Sequence, residues 1–164
     1  MDFLQSNIID DKAIDILEEL LKELVIDVQK ELEQQGHVLT GELRDSLRIE
    51  VKRFPNFVQG LLLGRSYGKI VDQGVSASRI PFDPNRKRGQ GRGGTSEYIQ
   101  GLKDFWKKVD PGIGDKEALS RAFATAKVHA KEGMPSKGSF KFSKNKKRQG
   151  FFTDSLAAKR DDII

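Results

Sequence analysis

The chain has 164 residues, 37% hydrophobic and 32% charged, with a formal net charge of +5 and no cysteine. That length suits one domain, the apolar share is too high for a wholly disordered chain, and no run approaches the roughly 18 apolar residues of a membrane span. The lack of cysteine excludes disulfide scaffolds, thiol catalysis and thiolate metal sites. Acidic Asp2, Asp10 and Asp11 do not resemble the basic start of a signal peptide, so a soluble protein assembled in a reducing cytoplasm is expected.

The charge is unevenly spread. Residues 1–36 carry 3 basic and 10 acidic side chains, a net of −7, and residues 37–164 carry 26 basic and 14 acidic, a net of +12. Such polarity favours contacts with charged partners or between copies of the chain, without choosing between nucleic acid and protein.

The first predicted element is a long helix over residues 10–35. Ile14, Leu17, Leu21, Leu24 and Val28 recur at steps of three and four, and Ala13, Ile16, Leu20, Val25 and Leu32 widen the stripe. Asp10 and Asp11 suit the start of this helix and Gly36 its stop. Residues 40–75 read as a turn and hairpin region. Thr40–Leu47 is a turn or short helical turn, Arg48–Arg53 alternates as a half-buried strand, and Phe57–Leu63 returns after Phe54-Pro55-Asn56. Ile49, Val51, Leu61 and Leu63 are expected to face the long helix.

Residues 76–95, with Pro81, Pro84 and a run of glycines and arginines, read as a mobile basic loop. Two helices are predicted within 96–131. Tyr98, Leu102, Phe105, Trp106 and Val109 line the first; Ala118, Ala122, Ala126 and Ala130, with Leu119 and Phe123, line the second. Residues 137–164 form a basic C-terminal arm, with Phe140, Phe142, Phe151 and Phe152 among its cations. The reading is a single domain over 1–164 of the α+β class. An antiparallel sheet packs on the long N-terminal helix, with two further helices and extended basic loops.

Catalytic signatures are weak. Gly89, Gly91 and Gly94 fit G-x-G-x-x-G, but Pro-Asn-Arg-Lys-Arg stands where a dinucleotide site needs a hydrophobic strand. Gly64–Ile70 is one residue short of a phosphate loop and has Ile70 where the magnesium-binding hydroxyl belongs. His37 and His129 fit no metal or nucleophile–base spacing, and read as a solvated loop histidine and a helix-surface histidine. No enzyme activity, catalytic residue, metal or cofactor is expected.

Three separated segments, in order, carry a resemblance. They are Thr40-Gly41-x-Leu43-x-x-Ser46-Leu47 after the long helix, Tyr67-Gly68-Lys69-Ile70-Val71-Asp72-Gln73-Gly74, and the last predicted helix leading through Lys131-Glu132-Gly133-Met134-Pro135 to Gly150-Phe151-Phe152-Thr153-Asp154-Ser155-Leu156. Together they resemble the tail-completion (head–tail joining, neck) family of tailed bacteriophages, the minor tail component of lambdoid siphophages. The resemblance covers about residues 10–156. The basic loop at 86–94, the helix at 96–109 and the long basic stretch 136–150 depart from the compact family pattern.

The family resemblance implies a structural virion protein in a ring of copies at the head–tail junction. Its expected partners are other copies of itself and portal, adaptor or tail proteins, near DNA in the channel and with no membrane. Location would be the virion neck or tail, and the host cytoplasm during assembly. The motif positions are Thr40, Gly41, Leu43, Ser46, Leu47, Tyr67, Asp72, Gly74, Phe151, Phe152 and Leu156. Leu43 and Leu47 should enter the core, Tyr67 and Ile70 should pack inward, and Phe151, Phe152 and Leu156 should return the C-terminus to the sheet. Candidate interface residues are Arg86, Lys87, Arg88, Arg92, Phe140, Phe142, Lys144, Lys146, Lys147 and Arg148. The alternative is a basic nucleic-acid-binding accessory protein, in which lysines and arginines neutralise phosphates while phenylalanines stack on unpaired bases.

Overall fold

The computed structural model describes residues 3–85 and 96–163, with side chains for 11–85 and 96–160. Its class is α+β. In chain order the elements are α1 (Phe3–Gln34), α2 (Glu42–Asp45), β1 (Arg48–Arg53), β2 (Val58–Leu63), α3 (Gly68–Gln73), α4 (Glu97–Val109), α5 (Asp115–Glu132) and α6 (Thr153–Ile163), with 3₁₀ turns at Ala77–Arg79 and Lys137–Phe142. Where the sequence reads as one domain, the contacts form two compact units. One is Met1–Asp72 with Ser143–Ile164, the other Gln73–Phe142.

In the first unit, α1 begins ahead of the predicted Asp10. No glycine or proline interrupts residues 3–10, so nothing in the backbone chemistry halts the helix there, and Asp10 and Asp11 lie inside it instead of capping it. The other end stops as expected. Gly36 takes φ 70°, its amide donates to Glu33 O at 3.1 Å, and the His37 amide donates to Leu32 O at 2.9 Å. This paired closure satisfies helix carbonyls and needs a residue tolerant of left-handed backbone.

The α1 stripe is buried at Leu21, Leu24, Val28 and Leu32, with Leu43 and Phe151 completing the cluster. Ile16, expected to widen the stripe, is 59% exposed on the opposite side of the helix. Strands β1 and β2 form a two-stranded antiparallel sheet in which Ile49 pairs with Leu62 and Val51 with Gly60. Ile49, Val51 and Leu62 pack against the α1 cluster. Leu61 and Leu63 therefore belong to the other face, contrary to the expectation, because side chains alternate along a strand. Gly60 supplies the missing volume: a Cβ there would lie 2.7 Å from Leu21 Cδ1 and 3.2 Å from Leu17 Cδ1. The leucines of α1 fill the space above a glycine.

In the second unit, α4 and α5 pack as a helix pair around Ile99, Ala122 and Ala126, flanked by Phe82, Tyr98, Leu102, Trp106, Leu119 and Phe123. Alanines along α5 let the aromatic face of α4 approach closely. Ser96 Oγ accepts the Ile99 amide at 3.3 Å and caps α4. Trp106 Nε1 donates to Thr125 Oγ1 at 3.0 Å, so the partly buried indole has its partner. An antiparallel bridge joins Val75 and Met134. Part of the predicted mobile loop is ordered here: Ala77–Arg79 is a 3₁₀ turn and Ile80 is buried.

Candidate functional site

The strongest constellation is where the three motif segments meet in the first unit. In the first segment, Gly41 takes φ 75°, Thr40 Oγ1 accepts the Glu42 amide at 3.4 Å, and Leu43 is buried against α1. Ser46 Oγ donates to Leu43 O at 2.8 Å and accepts the Arg65 amide at 3.0 Å, tying the α2 turn to the chain leaving β2. Leu47 is partly buried against the same core. In the second segment, Gly68 is buried, and a Cβ there would lie 3.2 Å from Leu43 Cδ1.

Asp72 joins the second segment to the third. It is buried, and its Oδ1 accepts the Phe152 amide at 2.8 Å and the Thr153 amide at 3.3 Å, while its backbone carbonyl accepts the Gly150 amide at 2.9 Å. A carboxylate at the start of α6 both fills orphan amide donors and faces the positive end of the helix dipole. Phe151 is thereby held in the core among Leu24, Val28, Leu32 and Leu43, and Phe152 packs partly buried beside it.

Three motif-segment positions behave differently from expectation. Tyr67 and Ile70 are 40% and 53% exposed, and Leu156 is also exposed. In α3, Gly68, Val71 and Asp72 are the residues turned inward, which puts Ile70 on the opposite side of this short helix. Of the three C-terminal residues expected to pack inward, Phe151 is in the core, Phe152 packs against it, and Leu156 is exposed. Gly74, at φ 75°, lies in the second unit.

Sequence reasoning does not anticipate the polar network at the end of α1. Gln35 is fully buried, with its amide nitrogen donating at 2.9 Å to both Glu31 Oε1 and Gln149 O. Asn145 Nδ2 donates to Glu31 Oε1 at 2.6 Å. Arg148 Nη1 donates to Gln35 O at 2.5 Å and Gly36 O at 3.3 Å, satisfying carbonyls at the helix C-terminus. His37 Nε2 donates to Arg148 O at 3.1 Å, so that nitrogen carries the ring proton. Burial, and then the Arg148 charge, lower the His37 pKa from its ordinary value; burial likewise lowers that of Arg148. The one signal in the sequence is spacing, since Gln35 continues the buried stripe one step of three beyond Val28 and Leu32.

The candidate interface residues are thus scattered. Arg86, Lys87, Arg88 and Arg92 lie outside the described residues. Arg148 is turned into the chain, and Lys147 Nζ donates to Asp154 Oδ2 at 2.8 Å. Lys144 and Lys146 are exposed, with the Lys144 amide donating to Gln34 O at 2.8 Å. Phe140 is half-buried, and Phe142 is 70% exposed with Lys141 Nζ 5.0 Å above its ring.

His37 is not the solvated loop histidine expected from the sequence, and His129, read as a helix-surface histidine, is half-buried on α5. His37 is held as above, and His129 Nδ1 shares a 2.7 Å hydrogen bond with the Tyr98 hydroxyl. Burial lowers the His129 pKa and raises that of Tyr98. Among the described residues, no group of three or more His, Asp or Glu side chains could hold a metal ion, and no helix is long and apolar enough to cross a membrane. Compared with family models, curated proteins and solved structures, the chain matches none.

Proposed function

We propose that the chain is a structural virion protein of a tailed bacteriophage, one of a ring of copies at the head–tail junction that completes the tail end and docks it to the head. The observation that carries this reading is the meeting of the three resemblance segments around Asp72. Leu43, Asp72 and Phe151 come from distant parts of the chain and form one buried joint. Motif residues whose contacts hold the fold together, as Ser46 and Asp72 do, suit a protein whose work is assembly. Its mechanism is then the presentation of surfaces, and weak contacts between copies suffice when many act in a closed ring.

A nonsense mutation in the encoding genome tests this. Infected cells should accumulate filled or DNA-leaking heads beside separate tails, and supplying the chain in trans should restore joined particles. Infectious particles at normal titre without the chain would overturn the reading.

A further inference from the structure

The outward side of α1 is apolar and mainly acidic, with Lys12 and Lys30 also exposed on it. Asp15, Ile16, Glu19, Glu23, Ile26 and Glu33 recur at helical spacing opposite the buried stripe. Ile16 is 59% and Ile26 49% exposed. Asp15 and Glu19 are exposed and form no ion pair among the described residues. The 3₁₀ turn Lys137–Phe142 has the opposite character. Phe142 is the most exposed large hydrophobic among the described residues, Lys141 sits over its ring, and neither the Lys137 nor the Lys141 ammonium has a carboxylate partner there.

We propose that the Lys137–Phe142 turn of one copy docks on the Ile16 face of α1 in a second copy, with Phe142 against Ile16 and Lys137 and Lys141 toward Asp15 and Glu19. The occupant is another copy of this chain because the unpaired charges beside Ile16 are mainly carboxylates, Asp15 and Glu19 against Lys12, those beside Phe142 are the Lys137 and Lys141 ammonium groups, with Glu132 held by the Lys137 amide, and each surface adds an exposed apolar side chain. The two patches differ, so the contact is heterologous. Repeated copy to copy, it closes into a ring when the rotation fits. This names the subunit contact of the proposed assembly and rests on that reading for its role, while the contact itself is measurable without any particle.

The test uses the full chain in sedimentation velocity at low salt. The variants are Lys137→Glu with Lys141→Glu, and Asp15→Lys with Glu19→Lys; all four positions are exposed, and circular dichroism confirms that each variant keeps its fold. Wild type should associate and each variant alone should lose association at least about tenfold, as expected when like charges face each other across an interface. Mixing the two variants should restore it, because each then presents the charge the other needs. The chain has no cysteine of its own, so mixing Ile16→Cys with Phe142→Cys should give a cross-linked pair under oxidation. Wild type that stays monomeric, a mixture no better than its parts, or a turn that binds single-stranded oligonucleotide while self-association is unchanged by the variants would overturn the proposal. Association through this contact in a chain absent from the particle would keep the contact and sink the neck reading.

Discussion

The Asp72 carboxylate accepts the Phe152 amide at 2.8 Å, across 80 positions of chain. That bond fixes where the C-terminal segment re-enters the first unit and sets Phe151 into the core beside Leu43. The C-terminal arm is therefore divided. Its first residues, through Phe142, belong to the second unit, and the rest completes the first.

Asp72→Ala should destabilise the first unit by about 2–3 kcal/mol, since it removes charge-assisted hydrogen bonds and strands the Phe152 amide. Asp72→Asn retains an acceptor oxygen and should cost less. Urea unfolding of both variants checks the order.

Leu24→Ala should cost about 2–5 kcal/mol, as for other packed core leucines. Gly60→Val should cost about 1–3 kcal/mol by overpacking against Leu21 and Leu17. An unchanged unfolding midpoint for both would mean that α1 does not cover the hairpin.

The helices and the hairpin are legible in the sequence because their signals are local: a stripe at steps of three and four, an alternating Arg48–Arg53, a glycine at the end of α1. The face of β2 is not, because Leu61, Leu62 and Leu63 are identical in character and no alternation marks the inward one. The pairing of Val51 with Gly60 decides it, and that pairing is not written in either strand alone. Gln35, His37 and Arg148 escape notice for a related reason. Their burial depends on partners more than a hundred residues away in the chain, and polar residues ordinarily mark the surface.

Stability should fall as the solution is acidified below about pH 6.5. Both His37 and His129 have folded pKa values lowered from 6.5, so the unfolded chain takes up protons first and is favoured as pH falls from about 6.5 through the folded values. Around His37 the facing groups are the Arg148 guanidinium and the Phe151 ring; at His129 it is the Tyr98 hydroxyl. Thermal melts from about pH 8 to 5 should show the decline, and His37→Gln with His129→Gln should flatten it.

Two glycines of the second unit should respond in opposite directions. Gly101, within α4, has open space where a Cβ would go, so Gly101→Ala should stabilise by about 0.5–1 kcal/mol through helix propensity. Gly133 takes φ 84° and a Cβ would lie 2.5 Å from Val75 O, so Gly133→Ala should destabilise by more than about 1 kcal/mol from backbone strain alone. Thermal unfolding of the two variants measures both.

The most direct measurement for the central claim is the position and copy number of this chain in purified particles, by cryo-electron microscopy together with quantitative mass spectrometry. The proposed function predicts a fixed number of copies per particle, arranged as a ring at the junction of head and tail. Particles that contain none of it, or that carry it bound along packaged DNA, would contradict the account.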